Sequence, residues 1–182
     1  HGGHNEVVDP ALMEEKWNRE LKFYNIMLEH YPEHVLELLN IDYSNRKIYF
    51  KIEDVDFWEL AGCDKNNFNQ VLPNWQKQLK EIFTAHRKLG IFKYSLHPSS
   101  YFIVNNKLKS INYFFCYNKD DTPISLYSVL SHISEGRRKI LFPQMEQMGI
   151  DLYNPTPFEE IQHLAYKSFA DDYPEGFFND LL

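Results

Sequence analysis

Met13, Trp17, Leu21, Tyr24 and Leu28 recur at three- and four-residue spacing, the period that lays one apolar stripe along a helix. Asp9 followed by Pro10 supplies an N-cap and a proline at the first helical position, and Pro32 stops the helix near His30 by disfavouring helical geometry in the residue before it. From Ile41 to Ile52 two short apolar runs flank the polar pair Ser44-Asn45 and predict a β-hairpin. Polar residues then interrupt the pattern until Val71, Trp75, Leu79, Ile82 and Phe83 mark a second helix, ended by Gly90 in the C-terminal cap position. Tyr101 to Val104 and Leu108 to Ile111 flank Asn105-Asn106-Lys107 and predict a second, smaller hairpin. Everything after Thr122 reads as helical, with Ser134-Glu135 opening one helix closed by Gly149. Thr156-Pro157-Phe158-Glu159 opens another with the Thr and Glu of a capping box. Helix, hairpin, helix, hairpin and a helical tail make an α+β arrangement in one domain over 1–182.

Composition narrows the class. Of the 182 residues 43% are hydrophobic and 16% aromatic, enough to bury one substantial core and too apolar for a disordered chain. No apolar run approaches the ~20 residues of a membrane span. A net charge of -7 lacks the basic face that a sequence-independent grip on nucleic acid requires. The one compact basic run, Arg137-Arg138-Lys139, reads as a solvated helix face. Cys63 and Cys116 read as two small buried hydrophobes, and without a signal-like segment the expected compartment is the cytoplasm. A first residue of His1 rather than Met leaves room for a segment upstream. His1-Gly-Gly-His4 leaves open a purification remnant, a flexible turn or a metal-binding end.

The informative stretch is Gly90-Ile91-Phe92-Lys93-Tyr94-Ser95-Leu96-His97-Pro98-Ser99-Ser100, followed by the hairpin and then Ile111-Asn112-Tyr113-Phe114. It resembles the catalytic segment of the protein-kinase-like superfamily, in particular the aminoglycoside-phosphotransferase and lipopolysaccharide-kinase branches. There a helix ending in Gly precedes a His-x-Asp-Leu-His-Pro-x-Asn loop, and a hairpin ending in Ile-Asp-Phe follows. The resemblance implies a proton-accepting Asp, a metal-binding Asn five residues later and a metal-binding Asp after the hairpin. Aligned on Leu96-His97-Pro98, those places fall at Ser95, Ser100 and Asn112. A serine hydroxyl has no accessible basic form at neutral pH without its own activating base, and neutral Ser100 and Asn112 are poor ligands for Mg²⁺.

The same resemblance implies a reduced protein-kinase-like fold. Residues 9–54 become a remnant small lobe of helix plus hairpin, and 55–182 a mostly helical large lobe. Glu20 falls nearest to the ion-pairing Glu of the small-lobe helix, and Glu53, Asp54 and Val55 fall at the hinge between lobes. Together with His97 and Asn112 these hinge residues are the candidates to line a cofactor cleft. No Gly-rich phosphate loop and no strand with a phosphate-pairing Lys precede the first helix, and the tail is short for a complete large lobe. The expected function is therefore a catalytically inactive, pseudokinase-like module that works through a protein partner, with no metal and no cofactor. Its compactness would suit a viral accessory protein. The alternatives are an atypical phosphotransferase or nucleotidyl transferase using ATP and Mg, with Asp120 and Asp121 as the nearby acidic candidates, and a plain α+β protein-interaction domain.

Other constellations carry less. His30 and His34 are separated by Pro32 and lack a third ligand, so they read as a helix-end pair. His97 with Asp120 and Asp121 would form a hydrolytic cluster only with a nucleophile motif, which does not accompany it. Glu14-Glu15 and Glu159-Glu160 suit the positive ends of helices. Tyr113-Phe114-Phe115-Cys116-Tyr117 reads as core, because no basic residues interleave with it.

Overall fold

A computed structural model of the 182-residue chain describes residues 9–52, 57–131, 133 and 135–181. The architecture is α+β, with small antiparallel sheets inserted among helices. Helix α1 spans Pro10–His30, and the Asp9 carboxylate caps it by accepting the Ala11 amide at 2.9 Å. The ribbon β1 (Glu37–Asp42) and β2 (Lys47–Lys51) follows, starting four residues before the predicted hairpin and carrying an irregularity between Leu38 and Asn40. Its turn is held by Asp42, whose carboxylate accepts from the Ser44 hydroxyl and from the Asn45 amide and side chain.

Strand β3 (Phe57–Glu59) lies in the polar stretch where no strand was expected, and it pairs with β5 (Tyr101–Val104). The apolar series that begins at Val71 is two helices rather than one: α2 (Phe68–Val71) ends before Pro73, and α3 (Trp75–Leu89) starts after it. Pro73 forces the break, since it can neither donate to nor continue a helix through its own position. Gly90 ends α3 at φ +66°, the left-handed geometry expected of a terminal glycine. An added Cβ there would lie 2.7 Å from Cδ of Lys119, a side chain that can swing aside, so backbone strain dominates. Gly90→Ala is expected to lower stability by about 1–2 kcal/mol, read by urea unfolding, and an unchanged midpoint would contradict the strain argument.

β5 and β6 (Lys107–Ser110) form the second predicted hairpin, turned by Asn105 and Asn106 at φ 53° and 61°. A further pairing was not anticipated: β4 (Ile91–Lys93) runs antiparallel to β7 (Cys116–Asn118), placing Lys93 opposite Cys116. The tail contains α4 (Leu126–Leu130), α5 (Glu135–Gln147) and α6 (Phe158–Phe169). Gly149 is left-handed just beyond α5, while Ser134, expected to open it, lies outside the described residues. The capping box at α6 does not form. Pro157 is the N-cap and makes no side-chain cap bond, and the Thr156 hydroxyl donates to the Asn154 carbonyl instead.

Two cores result. The larger gathers Trp75, Leu79 and Phe83 of α3 with β5, β6, α6 and the terminal aromatics Tyr173, Phe177 and Phe178. The smaller packs Phe23, Tyr24 and Met27 of α1 onto Ala85, Ile91, Tyr113 and Cys116. Cys63 and Cys116 are free thiols, and only Cys116 is fully buried. Among the described residues no helix is long and apolar enough to cross a membrane.

Candidate functional site

The loop after β4 and the turn after β6 are brought side by side by the β4–β7 ladder and by the Tyr94 amide donating to the Phe115 carbonyl at 3.0 Å. This places the three motif positions in one cluster. The Ser95 hydroxyl donates to the Asn112 carbonyl at 2.7 Å, and Asn112 Nδ2 donates to the Ser100 hydroxyl at 3.2 Å. The Ile111 amide also donates to the Ser100 carbonyl at 2.8 Å. Asn112 is left-handed at φ 64°, a geometry asparagine tolerates better than most side chains. Residues 17 and 12 positions apart thus meet through local hydrogen bonds.

At the centre of the cluster is Lys93, 1% exposed. Its ammonium donates to the Ser95 carbonyl and, at 3.1 Å, to the Ser95 hydroxyl, and it lies 5.3 and 5.5 Å from the ring centres of Tyr101 and Tyr113. Burial lowers its pKa to about 8, against the opposing pull of Cys116 and Glu20. Sequence reasoning did not select Lys93 as functional, although a signal existed: two residues beyond buried Ile91 on one strand, it is in phase with the core.

Glu20, the partly buried acid of α1, faces the same place. Desolvation raises its pKa, opposed by hydrogen bonds from the Tyr113 and Phe114 amides and by the Lys93 charge. It therefore caps the short 3₁₀ turn Tyr113–Phe115 and joins α1 to it. Behind this turn His86 of α3 meets the Tyr113 hydroxyl at 2.9 Å through Nε2. Burial, then Lys93, lower the His86 pKa to about 3, so the ring is neutral. His86 lies on the apolar stripe of α3 with Leu79, Ile82 and Phe83, a phase that also marks it as a core group.

Of the remaining candidates, His97, Asp120 and Asp121 make hydrogen bonds elsewhere. His97 is exposed, accepts the Ser99 amide at 3.1 Å through Nδ1, and approaches Asp172 at 3.9 Å through Nε2. Its acidic neighbour is thus in the C-terminal segment, not Asp120 or Asp121 as weighed for a hydrolytic cluster. Asp120 and Asp121 belong to the turn after β7, where the Asp121 carboxylate accepts the Asn118 amide at 2.8 Å and the Asp120 amide donates to the Asn118 side chain at 3.0 Å. Glu53, Asp54 and Val55 lie outside the described residues, as do His1 and His4. His34 stacks on Tyr31, with ring centres 5.8 Å apart, and its pKa is lowered by burial.

Chemically the cluster holds hydroxyls, an amide and an ammonium, with its one carboxylate, Glu20, committed to backbone amides. Such a set donates hydrogen bonds well and offers no anionic oxygen pair to a divalent cation. Among the described residues no group of three or more His, Cys, Asp or Glu side chains is placed to hold a metal ion. No protein-family model matches the chain, and no curated protein matches it either.

Proposed function

We propose that the chain is a catalytically inactive, kinase-like binding module. The observation that carries this reading is the convergence of Ser95, Ser100 and Asn112 through bonds of 2.7 and 3.2 Å, at the positions where the resembling enzymes need a base and two metal ligands. The β5–β6 register, with Tyr101 opposite Ser110, already sets Ser100 beside Asn112, so the support for the resemblance comes from Ser95 joining them. The same convergence argues against a plain interaction domain, for which Ser95 and Asn112 need not meet.

The chemistry is inert for phosphoryl transfer in two ways. Among the described residues the Ser95 hydroxyl is bonded to Lys93 and to the Asn112 carbonyl rather than to a carboxylate that could take the proton of an attacking hydroxyl, and Lys93 is mostly protonated at pH 7. A buried cation also replaces divalent metal as the positive charge between the loop and the turn, and it is fixed there by Ser95 and two aromatic rings. A cytoplasmic setting suits the two free thiols, and the net charge of -7 favours a protein partner over nucleic acid.

Thermal unfolding with ATP and Mg²⁺ or Mn²⁺ tests the reading, because a ligand that binds the native state raises its stability by mass action. The expected result is an unchanged Tm and no nucleotide hydrolysis. Metal-dependent stabilisation together with turnover that Asn112→Ala abolishes would instead establish an atypical phosphotransferase.

A further inference from the structure

The β1–β2 ribbon carries several exposed apolar side chains. Among the described residues no third strand pairs with either of its edges. A groove of about 720 Å³ is lined by Leu39, Asn40, Ile41, Asp42, Tyr43 and Ser44 in unbroken succession, with Tyr49 across the ladder. The groove takes in Leu39–Asp42 of β1, the turn residues Tyr43 and Ser44, and Tyr49 of β2, so it runs along β1 to the turn end of the ribbon. Leu39 is 66% exposed, Tyr43 68% and Tyr49 44%, which gives the groove an apolar wall.

Charge at the two ends of β1 indicates the occupant. Glu37 and Asp42 terminate the strand, and on its paired side they meet Lys51 and Lys47 of β2. The Asp42 carboxylate is held in place by Ser44 and Asn45, and those hydrogen bonds keep its pKa at about 2, so it is anionic throughout the working range. We propose that the open edge of β1 docks an extended segment of a partner protein, with a lysine or arginine at each end of a short apolar β-forming stretch. Main-chain hydrogen bonds supply the attachment, and the two carboxylates select the ends. β2 itself, Lys-Ile-Tyr-Phe-Lys, already satisfies this pattern on the other side of β1.

A second copy fits less well. Two β1 edges paired about a two-fold axis would set Glu37 against Asp42 of the other copy, with like charges opposed. A β1 edge paired with β2 of another copy leaves a fresh edge each time and makes an open chain, not a closed dimer. The partner segment gives the binding role a chemical class, and it is independent of the cluster around Lys93: failure here leaves the inert cluster untouched, and nucleotide turnover leaves the groove untouched.

The test uses the full chain and an acetylated, amidated peptide Lys-Ile-Tyr-Phe-Lys, titrated by NMR and calorimetry. Binding with amide shifts confined to Glu37–Ser44 is expected. A Glu-ended peptide of the same centre should bind at least about tenfold more weakly, reflecting two reversed charge pairs. Methylating alternate peptide nitrogens should abolish binding, and both changes leave the protein unaltered. Leu39→Lys, at an exposed position, should weaken binding without altering the thermal midpoint. Equal binding of the Lys- and Glu-ended peptides, indifference to N-methylation, or no binding at millimolar peptide overturns the proposal. So does concentration-dependent self-association that Leu39→Lys removes, which would assign the groove to a second copy.

Discussion

Lys93→Met is expected to destabilise the protein by about 1–3 kcal/mol, the cost of leaving the Ser95 carbonyl without its donor, offset in part by relief of the desolvation that holds the Lys93 pKa near 8. Methionine fills much of the lysine volume, so the loss is electrostatic rather than a cavity. Glu20 keeps its Tyr113 and Phe114 amides but loses its countercharge, and the Ser95 carbonyl loses a donor. Glu20→Gln, which leaves the Lys93 cation alone in the core, should also destabilise. The double variant Lys93→Met/Glu20→Gln should recover part of the loss, because no uncompensated charge remains. Urea unfolding of all four proteins gives the coupling directly. Additivity within about 0.5 kcal/mol would mean that the two charges do not interact and that α1 is held to the Tyr113 turn by packing alone.

Stability should also rise with pH in two separate windows. Unfolded histidine takes up a proton near pH 6.5, whereas folded His86 resists until about pH 3. Between those values the unfolded chain binds more protons, so stability present above pH 6.5 is lost as pH falls, by up to about 5 kcal/mol for a shift of this size. A loss of that order is comparable to the whole stability of a marginal domain. Lys93 produces the second window: its folded pKa of about 8 lies below the ordinary 10.5, so stability climbs again from pH 8 toward 10.5, by about 3 kcal/mol on the same conversion. Tyr24 and Tyr117 act oppositely. Their folded pKa values of about 12 exceed the ordinary 10, so stability falls once the unfolded tyrosines ionise. Chemical denaturation at a series of pH values should therefore show a maximum between about pH 8 and 10. His86→Phe should flatten the acid limb, and Lys93→Met the rise above pH 8. A profile unchanged by both variants would show that neither group is held in the form its burial implies.

The candidate site was only partly legible from the chain. Ser95, Ser100 and Asn112 were selected by the spacing of the loop and hairpin that the segment resembles, and the structure joins the three by hydrogen bonds. Lys93 escaped notice because a three-residue strand displays too few alternations to reveal its inward phase. Its burial depends on Cys116, opposite it on β7. Glu20 was recognisable only by position. Its role as the cap of the Tyr113 turn requires α1 to lie against residues more than ninety positions away. The turn that holds Asp120 and Asp121 was likewise not legible: the Asp121 carboxylate accepts the Asn118 amide, and the Asp120 amide donates to the Asn118 side chain.

Local rules were sufficient for α1 with its Asp9 cap, for the left-handed stop at Gly90, and for the asparagine turn between β5 and β6. In each case the governing energy lies within a few residues of chain, so side-chain type and spacing alone determine the outcome. They also determined the α+β class and the neutral character of the motif positions. Tertiary structure alone decided the β3–β5 and β4–β7 pairings and the failure of the Thr156 capping box. It likewise decided which charges would be enclosed together. Strand pairing and the burial of Lys93, Glu20 and His86 depend on partners distant in sequence, whose approach changes the local dielectric, and no residue carries that environment in its own identity.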